Sequence, residues 1–156
     1  MEWVTLGTVL GSGLAAGVFF AFSGFVMPAL DRLPTAQGIA AMQSLNKLAV
    51  TPPLMTVLFG TALAGGGLAV WAVTSWDQRP APWVLAGSAL YLVGVIGVTI
   101  AANVPLNNAL DTVHPEGAGA AAHWSSFYGH WMAWNHVRAG AALGATALLA
   151  VAYRVA

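Results

Sequence analysis

Three features of the sequence predict an all-α fold, a four-helix transmembrane bundle. Only 6% of the residues are charged while 58% are hydrophobic, with a mean hydropathy of +0.74; soluble domains carry roughly a quarter charged residues. The few charges cluster, leaving uncharged gaps from Glu2 to Asp31, Lys47 to Asp77 and Arg79 to Asp111, each long enough for a helix of about twenty residues. Trp3, Trp71, Trp76, Trp83, Trp131, Trp134 and Tyr153 fall near the predicted ends, where an interfacial aromatic belt belongs.

The first span is placed at 3–28, ending at Met27-Pro28. Its start lacks the basic residues of a secretory signal, so it is expected to be retained as a helix. After Leu33-Pro34, the residues Ile39, Met42, Leu45 and Leu48 recur at helical spacing, predicting a short amphipathic helix at the interface. The second span covers 52–74, and the stretch from Thr74 to Pro82 is turn-like. The third covers 82–104. In the long connection 105–130, Pro115-Glu-Gly-Ala-Gly breaks the chain before another helical run, so this connection is partly helical. The fourth span is placed at 130–153, because the stretch from Arg138 to Arg154 offers only about fifteen uncharged residues where about twenty are needed.

The whole of 1–156 reads as a single integral membrane domain. Small residues at four-residue spacing, Gly7/Gly11, Gly13/Gly17, Gly60/Ala64 and Gly140/Gly144, let backbones approach closely in lipid. Packing within the bundle explains them better than dimerisation, with a homo-oligomer as the alternative.

Five basic residues balance five acidic ones, which removes any case for nucleic-acid binding. With no cysteine there is no disulfide, thiolate metal site or Cys nucleophile. The partners expected are the lipid bilayer and a small lipophilic molecule. Both long connections return to one membrane face. That face holds most of the polar residues, including all four histidines and Arg138, and is the working end.

Trp131-Met-Ala-Trp134-Asn135-His136-Val-Arg138 puts polar groups inside or at the edge of the hydrocarbon, where ionisable residues are functional-site candidates. In a continuous helix, Trp124, Tyr128, Trp131, Asn135 and Arg138 form one stripe. His136 points about a hundred degrees away from Asn135. The alternative is structural, with tryptophans as belt anchors and Arg138 capping carbonyls or pairing with a carboxylate. Asn103-Val-Pro-Leu-Asn107-Asn108 ends the third span beside this site; Asn103 and Asn107 share a face, and Pro105 leaves a carbonyl without its normal bond. These amides either bind a polar ligand atom or cap the helix. Phe19, Phe20, Phe22, Ser23 and Phe25 offer aromatic walls near the working end of the first span, or simply lipid contact.

His123 and His130 are seven apart, about two turns, and no His-x-x-x-His pair occurs. A metal or haem site using His136, His130 or His123 with ligands from elsewhere is the remaining metal reading.

Asn103-Val-Pro-Leu-Asn-Asn combined with Trp131-x-x-Trp-Asn-His-Val-Arg138, on a short four-span chain, resembles the anthrone oxygenase family, also called DUF1772. Phe20-Ala-Phe-Ser-Gly-Phe-Val-Met-Pro-Ala-Leu30 and Gly38-Ile-Ala-Ala-Met-Gln-Ser-Leu-Asn46 are similar to the same family. The resemblance implies conversion of an anthrone to an anthraquinone with molecular oxygen as co-substrate, in an integral membrane protein expected in the bacterial cytoplasmic membrane. An anthrone's methylene is acidic because its carbanion is an extended phenolate-like anion, and that anion gives an electron to oxygen without a redox metal. On this expectation His136 takes the methylene proton, Arg138 and Asn135 hold the carbonyl oxygen, and Asn103 and Asn107 orient phenolic hydroxyls. Trp131, Trp134, Tyr128, Trp124 and Phe22 supply the walls.

Two other readings compete: a metal- or haem-dependent membrane oxidoreductase, and a non-enzymatic binder of lipophilic aromatics or quinones. Transport is disfavoured because the second and third spans read as apolar through their middles.

Overall fold

The computed structural model describes all 156 residues. Five helices and no strand make up the fold: α1 (Glu2–Asp31), α2 (Thr35–Ala49), α3 (Pro52–Thr74), α4 (Ala81–Asp111) and α5 (Ala120–Val155). All but α2 are long and apolar enough to cross a membrane, as expected of an integral membrane protein.

α5 is the spine. It packs along both α1 and α4, and α3 closes the ring by touching α1 and α4. The central core is built from small residues, Ala15, Ala16, Ala141, Ala142 and Ala145, around Phe19, Leu58, Tyr91 and Val95. Close approach needs missing side chains. A Cβ at Gly94 would lie 2.5 Å from the Cβ of Ala141, and one at Gly11 would collide with the hydroxyl of Thr61. Gly11 and Gly144 therefore serve contacts inside the bundle, while Gly7, Gly17, Gly60 and Gly140 face open space.

Two spans run longer than expected, for one shared reason. The prolines expected to end them are accommodated by a turn of i→i+5 hydrogen bonding just upstream. In α1 the wide turn is Phe22–Val26, with Met27 N–H bonded to the Phe22 carbonyl, and Pro28 follows. In α4 it is Thr99–Asn103, with Val104 N–H bonded to the Thr99 carbonyl, and Pro105 follows. The extra residue shifts the carbonyl that a proline ring would strike, so the helix continues instead of stopping. A further wide turn occupies Leu92–Gly97.

α5 starts at Ala120 rather than near 130, directly after Gly119, whose φ of 88° only glycine adopts freely. Its 36 residues span about 54 Å against a hydrocarbon core of about 30 Å. The first turns of α5 therefore stand clear of the membrane core. They bury Trp124, Phe127 and Trp131 against Met27, Ile39, Met42 and Leu110, forming a second core at the working end.

α2 is the roof of this end. Gly38, Ile39, Met42 and Asn46 face inward, whereas Leu48, expected on the apolar stripe, is exposed. Gln43 Nε2 donates to the carbonyls of Leu110 and Val113, both at 2.9 Å, and Asn46 Nδ2 donates to Asp111 Oδ1 at 3.3 Å. These bonds tie the roof to the end of α4.

The middles of α3 and α4 are less apolar than their sequence suggests. Thr61, Ser88 and Tyr91 are buried there, and Tyr91 Oη donates to the Leu58 carbonyl at 3.3 Å. On α1, Ser12 shares a 2.9 Å hydrogen bond with Thr146 of α5. Thr8, Ser12 and Thr146 also bond to carbonyls of their own helices, which satisfies hydroxyls in an apolar interior.

Candidate functional site

The buried face of α5 runs through Trp124, Trp131, Asn135 and Arg138, the stripe expected from helical spacing except for Tyr128, which is only half-buried. Asn135 is fully buried and Arg138 is 6% exposed. They are one turn apart, and the Arg138 Nη2 donates to Asn135 Oδ1 at 2.8 Å. The Asn135 amide nitrogen donates in turn to the Phe19 carbonyl at 2.8 Å and Ser23 Oγ at 2.7 Å. Phe19, Phe22 and Ser23 converge here because α1 widens at Phe22–Val26.

Arg138 Nη1 donates to Thr99 Oγ1 at 3.3 Å, a residue of the matching wide turn of α4. Its guanidinium lies over the Phe19 ring at 4.5 Å and the Trp131 ring at 5.4 Å. Nε has no hydrogen-bond partner. The acceptors that reach this cation are an amide and a hydroxyl, not a carboxylate.

Trp131 is pinned from α4 at two points. Its indole N–H donates to Asn107 Oδ1 at 2.9 Å, and its carbonyl accepts from the Asn103 amide at 3.4 Å. Asn103 is buried, and its own Oδ1 has no partner. Asn103 and Asn107 thus brace the wall of the site.

These groups border a partly open cavity of about 130 Å³. Phe19 and Phe22 line it from α1, Asn46 and Ala49 from the roof, Leu54 and Leu58 from α3. Thr99 and Asn107 contribute from α4, and Trp131, Asn135 and Arg138 from α5. The lining contains no histidine, lysine or carboxylate, so Arg138 is its only charge. A larger cavity of about 210 Å³ lies at the opposite end, beside Glu2, Trp71, Gln78 and Tyr153. It lacks a comparable set of buried, convergent polar groups.

Several residues singled out in the sequence lie elsewhere. His136 is exposed on the outer side of α5 and does not line the cavity. The cause is helical geometry, which turns it away from its buried neighbour Asn135. His123 and His130 are also exposed, and His130 Nδ1 bonds the Ser126 carbonyl at 2.8 Å. No three His, Asp or Glu side chains gather in a metal-binding cluster. Trp134 is 44% exposed, as a belt residue would be. Trp124 donates to Asp31 Oδ1 at 2.8 Å and packs at a tilt against Tyr128; both stiffen the second core and neither lines the cavity.

Thr99 is a lining residue that the sequence did not single out, while Asn46, and Ser23 that bonds Asn135, fell within the stretches carrying the family resemblance without a role of their own. A hydroxyl on an apolar helix ordinarily bonds its own backbone, as Thr99 does to the Val95 carbonyl at 2.7 Å.

Among protein-family models, that of the anthrone oxygenases matches residues 49–148. This range holds Asn103, Asn107, Trp131, Asn135 and Arg138, and leaves α1 and most of α2 outside the match. No curated protein and no solved structure matches the chain.

Proposed function

Because the chain belongs to the anthrone oxygenase family, we propose that it oxidises a small lipophilic aromatic substrate with O2 in the Arg138 cavity. The observation that carries this reading is a buried guanidinium, without a carboxylate, at the wall of an otherwise apolar cavity. Hydrogen-bond donors fixed in a dry site stabilise developing negative charge far better than they do in water.

In this reading the substrate carbonyl oxygen approaches Arg138, and the ring system lies between Phe19, Phe22 and Trp131. Loss of a methylene proton to solvent buffer yields a carbanion whose charge resides largely on that oxygen. The carbanion gives one electron to O2, and the resulting radical and superoxide combine. Protonation gives a hydroperoxide; loss of the second methylene proton and cleavage of the O–O bond leave a ketone and release water. One O2 is consumed and one water formed per CH2 converted to C=O. The organic anion is the reductant, so this sequence calls on no metal. Asn135 positions Arg138, while Asn103 and Asn107 hold Trp131.

The cavity at about 130 Å³ is close to one that holds a single benzene ring. A three-ring anthrone extends through the mouth or lifts the α2 roof.

The absence of a histidine or carboxylate from the lining favours one second reading, a non-enzymatic binder of lipophilic aromatics or quinones. Oxygen uptake decides between them. Detergent-purified protein given emodin anthrone under air is expected to consume oxygen and form the quinone faster than the protein-free blank, and Arg138→Gln is expected to remove the excess rate. Uptake equal to the blank would leave the binder.

A further inference from the structure

A guanidinium sealed into an apolar interior is costly unless an opposite charge accompanies it. The chain does not supply that charge at Arg138. The acidic residues nearest along α1 and α4 are Asp31 and Asp111, each twelve positions from the residue of its own helix that touches Arg138 (Phe19 and Thr99), or about 18 Å along the axis. Both are otherwise engaged, Asp31 with the Trp124 indole and Asp111 with the Asn46 amide. The cavity wall adds no second cation and no base.

We infer that the cavity is a receptor for lipophilic organic monoanions, whose charged oxygen is the missing partner of Arg138, and that a weakly acidic substrate binds as its conjugate base. This rests on the reading of the Arg138 cavity as the substrate site and gives that site its ligand class. A strongly hydrated inorganic anion suits it poorly, since Phe19, Phe22, Leu54 and Leu58 cannot replace its water. A flat carboxylate or phenolate suits both halves. Its body covers the apolar wall, and its oxygen takes a charge-assisted hydrogen bond from the guanidinium. For a phenol or enol, the O–H bond breaks, the proton goes to solvent buffer, and the oxyanion stays with Arg138. No protein side chain accepts that proton, which explains a site without a base beside the cavity.

The test compares probes of one ring size by calorimetry in a neutral detergent: 2-naphthoate, the uncharged 2-naphthalenemethanol, 2-naphthol, and chloride as competitor. Breaking a buried hydrogen-bonded charge pair typically costs 2 kcal/mol or more, roughly thirtyfold in affinity. Naphthoate is therefore expected to bind at least about thirtyfold tighter than the alcohol. Naphthol binding is expected to release one proton per site, read from buffers of different ionisation enthalpy. Arg138→Gln is expected to abolish the charge preference; should that variant not fold, the wild-type ratio and proton release decide alone. Equal binding of naphthoate and alcohol, naphthol bound without proton release, or displacement of naphthoate by millimolar chloride would each overturn the inference. Anthrone turnover without a charge preference overturns it while leaving the oxygenase reading intact. A charge preference without turnover supports it and removes that reading.

Discussion

Replacing Arg138 by methionine removes a buried charge while keeping a long, unbranched side chain against Phe19 and Trp131. The bonds at stake are Nη2 to Asn135 at 2.8 Å and Nη1 to Thr99 at 3.3 Å. Thr99 stays satisfied through the Val95 carbonyl at 2.7 Å, so the one new orphan is Asn135 Oδ1, at about 1–3 kcal/mol. The stacking of the cation on Phe19 and Trp131 gives way to sulfur–aromatic contact of similar size, about 1 kcal/mol. Against these losses, exchanging buried ionic groups for apolar ones of like volume is often neutral or stabilising by about 1–4 kcal/mol. The terms nearly cancel, and ligand-free Arg138→Met is expected within about 2 kcal/mol of the parent. Asn135→Leu instead strips Arg138 of its best acceptor while the charge stays buried, and removes the amide bonds to Phe19 and Ser23. It is expected to be the less stable variant. Melting in detergent, followed by circular dichroism, measures the order. If Arg138→Met melts below Asn135→Leu, Arg138 is a structural brace and its charge is not unpaired.

Three further outcomes are expected. His136→Ala should leave anthrone oxidation within about twofold of the parent, since the ring is exposed and off the cavity; a hundredfold loss of rate would restore His136 as the base. Gln43→Ala removes two of the three side-chain bonds tying α2 to α4, each worth about 1 kcal/mol, so hydrogen exchange across Thr35–Ala49 should quicken while α5 stays protected. Gly94→Val drives a side chain into Ala141 and should cost about 1–3 kcal/mol or more, whereas Gly140→Ala, facing open space, should melt no lower than the parent.

The fold could be read from charge spacing because lipid allows few alternatives: an uncharged stretch that long must satisfy its own backbone as a helix. The buried stripe Trp124, Trp131, Asn135 and Arg138 followed from the same reasoning. Helix ends did not. Pro28 and Pro105 read as stops, since local chemistry weighs the lost N–H and not the wide turn that absorbs it. His136 has the chemistry of a base, but its position about a hundred degrees around the helix from Asn135 keeps it off the cavity. Which hydroxyls meet Arg138 depends on how α1 and α4 pack around α5, and that is a property of the whole bundle.

The length of α5 also fixes a depth. Arg138 lies seventeen residues before Val155, about 25 Å along the helix. With the far end at the opposite boundary, the Arg138 Cα sits only about 5 Å inside a 30 Å hydrocarbon slab. Apolar solutes, dioxygen among them, concentrate in that slab relative to the surrounding water. A site at this level draws on a two-dimensional reservoir, so its half-saturation tracks the mole fraction of substrate in lipid. Diluting the protein's vesicles with empty ones, at constant total amount of substrate, should slow the reaction as added protein-free bilayer would thin any membrane-dissolved reactant.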